Sequence, residues 1–414
     1  MKPGYKQTDV GLIPDDWSVK CFGEIGESLI GLTYKPSDVR SDGVLVLRSS
    51  NVADGSLQFD DNVFVGMDIP EKIMVQNGDI LICVRNGSRD LIGKCAYLDE
   101  RARGMTFGAF MAVFRTPFHR FIYHQFQSGM VKRQIHEHLG ATINQITNKS
   151  LNSFRVPFPE QETEREKIAE ALSDVNVLID SLEKLIAKKR DLKQAAMQQL
   201  LTGQTRLPGF TGKWEEKELG KLGKISGGGV DKKIRPDEPL VRLVNYMDVY
   251  RRSFIYSKEL SHVVSAPAEQ AARCAVRQGD IFFTPSSEMP FDIAASAVAM
   301  ENIPDAAYSY HVVRLRLDED WDLLFRAYAF KAEGFLKQAA RASEGSGVRY
   351  VITQGRFRQL TVRVPSNKAE QAAIAGVLSD MDAELGLLER RLAKTRDLKQ
   401  GMMQELLTGR TRLV

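Results

Sequence analysis

The sequence predicts an α+β fold, an internal repeat in which two homologous globules alternate with two long helices that pair with each other as a coiled coil. Three observations carry this prediction. The stretch "AKKRDLKQAAMQQLLTG" (187 to 203) returns as "AKTRDLKQGMMQELLTG" (393 to 409), with 13 of 17 positions identical at an offset of 206 residues. In front of each copy, apolar residues recur at alternating spacings of three and four, the seam of a coiled coil. The remaining sequence is a series of short β-like runs separated by Gly, Pro, Asn and Asp turns, and weaker echoes of the repeat run through it.

The divisions follow as 1–158 for the first globule, 159–206 for the first helical segment, 207–364 for the second globule and 365–414 for the second helical segment. In the first globule "GVLVLRSS", "DILICV" and "FMAVFR" read as strands and 119–138 as helical; in the second, "DIFFTP" and "HVVRLRL" read as strands and 321–341 as helical. "NGDILI" (77 to 82) corresponds to "QGDIFF" (278 to 283), and "LRSSNV" (47 to 52) is laid over "VRLVNY" (241 to 246). "LGATINQITNKS" and "EGSGVRYVITQG" show little likeness at the globule edges.

Pro159, with Glu160, Glu162 and Glu164 behind it, suits a helix start, because fixed proline φ and negative charge are both favourable there. Leu172, Val175, Ile179, Leu182 and Ile186 form the first seam; Leu378, Met381, Leu385, Leu388 and Leu392 form the second. Ser366, Asn367 and Glu370 provide the second start, and Gly203 and Gly409 suit C-terminal caps. Gly401 stands where Ala195 does in the first copy, at a cost of about 1 kcal/mol in helix propensity.

Composition places the chain among intracellular globular proteins, with the cytoplasm as the expected compartment: 43% hydrophobic, 27% charged, no apolar run of membrane length and no signal-like start. The four cysteines lack metal-ligand spacing, and the net charge of +4 falls mostly on the globules, +1 and +3, a weak hint of a polyanionic partner. No phosphate-binding glycine loop, nucleophile elbow, zinc-binding HExxH or dinucleotide fingerprint is present, so no catalytic residue and no metal site are assigned. His136 and His138 in "QIHEHLG" have no evident third ligand.

Binding chemistry is better represented. Arg85, Asn86, Ser88 and Arg89 follow the "NGDILI" run, and Thr284, Ser286 and Ser287 follow its counterpart; Arg and Asn suit bidentate contacts to base edges, while Ser and Thr read them more loosely. Thr33 and Lys35, Lys232, Lys233 and Arg235, and Arg251 and Arg252 suit phosphates. In the repeated helical stretch, Arg190 and Asp191 with Arg396 and Asp397, flanked by Lys188, Lys193, Lys394 and Lys399, are candidates for docking one kind of partner twice.

This layout, with "YKQTDVGLIPDDW", "LLTGQTRLPGFTGKW" and "LLTGRTRL", resembles the specificity subunit of type I restriction-modification systems over essentially the whole chain. The resemblance implies two target recognition domains, each reading one half of a bipartite DNA sequence. It further implies that the two long coiled-coil helices pack antiparallel, with pseudo-two-fold symmetry, as a spacer that fixes the gap, and that the subunit has no catalytic centre. The expected partners are double-stranded DNA, two methyltransferase subunits and ATP-driven restriction subunits. No cofactor is expected in this chain, with S-adenosylmethionine, ATP and Mg belonging to the partners. A coiled-coil scaffold for protein partners, without DNA specificity, is the competing expectation.

Overall fold

The computed structural model describes residues 3–53, 55–139, 144–346 and 348–414. The chain divides into two compact units, one of residues 1–183 with 391–414 and the other of 184–390, so each unit holds a globule together with portions of both long helices.

In the first unit a four-stranded antiparallel sheet runs in the order Cys95–Tyr97, Ile80–Cys83, Met111–Arg115, Glu27–Ile30. A second small sheet is built around Val44–Leu47, which pairs parallel with Thr106–Phe107 and antiparallel with Phe64–Val65. The second unit repeats the plan. Ser296–Ala299, Ile281–Phe283, Val313–Leu317 and Gly223–Gly227 follow in the same order, and Leu240–Val244 pairs parallel with Ile303–Tyr308 and antiparallel with Val263–Ser265. The helical stretches resolve into pairs, His119–Gln127 with Gly129–His138 and Leu323–Ala329 with Glu333–Ala342.

The "NGDILI" match is a true structural equivalence. Asp79 is 1% exposed and accepts from Arg115 at 2.8 and 2.7 Å; Asp280, also 1% exposed, accepts from Arg316 at 2.6 and 2.7 Å. Each carboxylate also caps its own turn, through Gln76 N–H and Arg277 N–H. A buried carboxylate needs this complete a set of donors.

One of the sequence alignments requires correction. Leu47 O accepts from Gly108 N and Val244 O accepts from Ser309 N, so "LRSSNV" lies over "VNYMDV" (244 to 249), three residues beyond the register read from sequence. Sparse identity between short strands let the wrong register score as well as the right one. The globule edges correspond at the same offset of 206 residues as the helices. Ile146 N donates to Val84 O and Ile352 N to Pro285 O, and Thr147 and Thr353 each cap a short helix. The equivalence lies in backbone pairing and capping, with few shared side chains to signal it.

The long helices span Glu162–Leu200 and Lys368–Leu406, 39 residues each, and the second runs unbroken through Gly401. Within each unit they run antiparallel. In the second, Arg190 pairs with Glu389 at 2.6 Å, and Lys193 with Asp382; in the first, Arg396 pairs with Glu183 at 2.6 Å. All ten predicted seam residues are buried or half-buried. The core of the first unit joins Trp17, Phe22, Phe114 and Phe126 to Ile168 and Leu172 of one helix and Met403 and Leu406 of the other. That of the second joins Ile225, Phe283 and Phe325 to Leu200, Ile374 and Leu378.

The repeated tail "LLTG…TRL" is explained by a closure made once in each unit. Arg412 grips Glu164, which is 1% exposed, at 2.6 and 2.9 Å, and also Asp16; Trp17 Nε1 donates to the same carboxylate at 3.0 Å. Arg206 grips Glu370, again 1% exposed, at 2.5 and 2.6 Å, and Trp214 Nε1 donates to it at 3.2 Å. Gly203 and Gly409 turn the chain with φ of +70° and +71°, and a Cβ there would press on Trp214 at 2.9 Å or Pro14 at 2.5 Å.

Candidate nucleic-acid interface

Candidate binding chemistry lies at an equivalent edge of each unit. In the second unit a cleft of about 560 Å³ is lined by Lys232, Tyr246, Tyr250, Ser286, His311 and Arg349, among others. The strand Ser286–Ser287 forms one wall by pairing with Arg349–Val351, which in turn pairs with Glu344–Ser346. The helix Tyr246–Arg251 forms another, its start fixed by Asn245, whose Oδ1 accepts from Met247 N at 2.8 Å while Asp248 reaches back to Asn245 N. One helical turn apart, the Tyr246 and Tyr250 rings stack at 5.8 Å, and Tyr250 OH donates to Asp292 at 3.3 Å. Burial holds the Tyr246 phenol above its ordinary pKa. The His311 pKa is pushed down by burial first and then by the charges of Arg349 and Lys232.

The same edge in the first unit carries different side chains on the same frame. The bridges Leu32↔Gly108 and Val230↔Ser309 make Lys35 the counterpart of Lys233 and Tyr34 that of Lys232. Arg85 takes the place of Ser286, paired with Gln145 as Ser286 is with Val351. Its guanidinium lies 4.9 Å from the centre of the exposed Phe110 ring, and Phe110 is the counterpart of His311. Asn86 donates to Ser49 Oγ at 3.3 Å, and Ser49 stands where Tyr246 does.

The structure therefore places Arg85 and Asn86 together in one unit and Lys232, Ser286 and Ser287 in the other, while Lys35 is the counterpart of Lys233, which lies outside the cleft lining. Thr33 is exposed beside Lys35, and Ser88 beside Asn86. Several nominated residues are occupied elsewhere. Arg89 donates to the His136 and Leu139 carbonyls at 3.2 and 3.0 Å; Arg235 is tied to Asp231 and Glu238, and Arg252 to Asp248 and Glu259 O. Thr284 is wholly buried, behind the cleft wall. Lys233 and Arg251 are exposed but do not line the cleft. On the helices, Arg190 and Arg396 serve helix pairing, while Asp191, Asp397, Lys188 and Lys394 remain exposed. Tyr246, Tyr250, His311 and Arg349 escaped the sequence reading because they come from separate segments joined only by strand pairing.

His136 lies on the helix Gly129–His138 with His138, whose ring packs on Phe154; no group of three or more metal-ligating side chains exists among the described residues. No helix among them is long and apolar enough to cross a membrane.

The family model for the type I restriction modification DNA specificity domain matches this chain twice, over residues 14–189 and 211–395. The chain belongs to that family. Type I specificity proteins of quite different hosts resemble it. The StySPI specificity subunit of Salmonella potsdam is 24% identical over 429 residues, spanning 96% of this chain and 90% of that protein. The EcoKI specificity subunit of Escherichia coli is 26% identical over 220 residues, half of this chain and 46% of that one. The crystal structure of the type I S subunit from M. genitalium covers 98% of this chain and 99% of its own, with a TM-score of 0.58 at 13% identity, so the two share a fold. This chain is accordingly a type I DNA specificity subunit, the component that confers sequence specificity and not catalysis. Its two family matches fall on the two globules with their helices, so the paired edges described above belong to two specificity domains.

Proposed function

We propose that each unit reads one half of a bipartite duplex target through its cleft edge, with the long helices setting the gap between the halves. Two methyltransferase subunits dock on the repeated helical stretch, restriction subunits join through them, and the complex works in the cytoplasm. S-adenosylmethionine, ATP and Mg belong to those partners.

The observation that carries this reading is a constant frame with exchanged side chains. The buried pairs Asp79–Arg115 and Asp280–Arg316 stiffen equivalent strands in both units, yet the edge they support shows Arg85, Phe110 and Ser49 in one unit and Ser286, His311 and Tyr246 in the other. Such an exchange of side chains at equivalent positions of one frame suits two readers of unequal half-sites. On the helices, Leu192 and Leu398 are 47% and 57% exposed at equivalent positions, each beside the exposed pair Lys188 and Asp191 or Lys394 and Asp397. A repeated apolar and charged surface of this kind suits one partner met twice.

Fluorescence anisotropy of the full chain with its methyltransferase partner on a cognate duplex tests the DNA reading. Affinity should fall steeply with salt and should drop for Arg85→Ala and Lys232→Ala alike; binding indifferent to salt and to both substitutions would refute it. For docking, Leu192→Glu with Leu398→Glu should abolish recovery of the methyltransferase subunit on the purified chain while leaving its melting temperature unchanged. Undiminished recovery would place the partner elsewhere.

A further inference from the structure

We infer that Arg349 reads a guanine in the half-site recognised by the second unit. The inference rests on the proposal that this cleft meets duplex DNA, and it assigns the cleft's base-reading group.

Arg349 begins the strand Arg349–Val351, opposite Ser346 on one neighbour, while Tyr350 and Val351 pair with Ser287 and Ser286 and so hold the strand on the cleft wall. Its Nη2 donates to Ser286 Oγ at 3.0 Å, which orients the guanidinium. Among the described residues it forms no ion pair, whereas Arg235, Arg242 and Arg252 each spend theirs on a carboxylate. A planar fork already held by one hydrogen bond loses little freedom on binding a planar acceptor. In the major groove guanine presents two adjacent acceptors, O6 and N7, that such a fork matches in bidentate fashion. Lys232, on the same cleft, supplies a compact charge suited to a phosphate and not to a base edge.

The first unit provides an independent parallel. At the equivalent bridge, Arg85 with Gln145, the exposed arginine among the described residues is Arg85, which stands where the second unit has Ser286. Arg85 is oriented by the Phe110 ring and Arg349 by the Ser286 hydroxyl. Among the described residues, each unit thus presents one oriented guanidinium at equivalent strand pairings, reached from different strands and held by different neighbours. Fixed backbone placement with an exchanged donor strand can shift which base position is read, as two unequal half-sites require.

The test is methylated-adenine mapping of host DNA from cells carrying the wild-type gene, Arg349→Ala or Arg349→Lys, with salt-dependent binding of the purified complex to the wild-type motif. Arg349→Ala should relax one G·C position in one half-site, with discrimination there falling roughly 5- to 150-fold, and leave the other half-site intact. Arg349→Lys should relax the same position while retaining most of the affinity, because a point charge replaces the fork. An unchanged motif with uniformly weaker binding and a shallower salt slope would make Arg349 a phosphate contact and overturn the inference. An unchanged motif with unchanged affinity would also overturn it. Parallel Lys232→Ala and Tyr246→Ala variants then separate the two levels: if they alter the motif or the affinity, only the Arg349 assignment fails, and if they too change nothing, DNA reading at this cleft fails with it.

Discussion

Ala294 adopts φ of +62°, the one non-glycine residue with positive φ among the described residues. It donates to Thr284 O as Gly93, with φ of +84°, donates to Cys83 O in the first unit. A left-handed L-residue costs about 1–2 kcal/mol. Ala294→Gly should therefore raise stability by about 0.5–1 kcal/mol in urea unfolding. Gly93→Ala should destabilise more than that strain alone, since its Cβ would sit 2.5 Å from Ile135 Cδ1. A second residue sets a pH response. His124 Nε2 lies 3.2 Å from Ser173 Oγ on the first long helix, and burial, then the Lys399 charge, pushes its pKa down to about 3. Below pH 6.5 the unfolded chain takes up a proton that the folded chain refuses until about pH 3, so stability falls as pH falls through that window, by up to about 1.4 kcal/mol per pH unit. Between pH 6.5 and 5 the wild type should lose about 2 kcal/mol more than His124→Gln in urea unfolding. Parallel losses would mean that His124 titrates normally.

At the scale of elements, the tail after each long helix is a structural clasp. Arg412→Ala leaves the buried Glu164 carboxylate with the Trp17 indole as its remaining side-chain donor among the described residues, and should cost about 3–5 kcal/mol in chemical unfolding. Adding Glu164→Gln should recover part of that loss; no recovery would mean that the unpaired charge is not the cause. The helices were legible in the sequence, because seam periodicity, caps and a near-identical repeat all point to the same element. Within their polar repeat, Arg190 and Arg396 reach across to Glu389 and Glu183, and such long-range pairing leaves no local trace in the sequence. The globule sheets were legible as short strands, and the "NGDILI" register could be read because Asp79 and Asp280 keep a charge in a buried turn. The neighbouring "LRSSNV" register was misread because nothing comparable pins it. The cleft was half legible. Arg85, Asn86, Ser286 and Ser287 follow a recognisable strand, whereas Arg349 and His311 join them only through strand pairings with distant parts of the sequence.

For the molecule as a whole, the account assigns specificity to two divergent edges and spacing to a constant pair of helices. Deleting one heptad from each long helix at facing positions keeps the seam in register and shortens the pair by about 10 Å, roughly three base pairs of duplex. Adenine-methylation mapping should then show the same half-sites with a shorter gap; an unaltered gap would remove the spacer role. The central claim, that this chain chooses the DNA sequence acted on, is tested most directly by sequencing methylated adenines in the host with and without the gene. The account predicts that one bipartite motif loses its methylation when the gene is absent and regains it on complementation. An identical set of methylated adenines in both strains would contradict it.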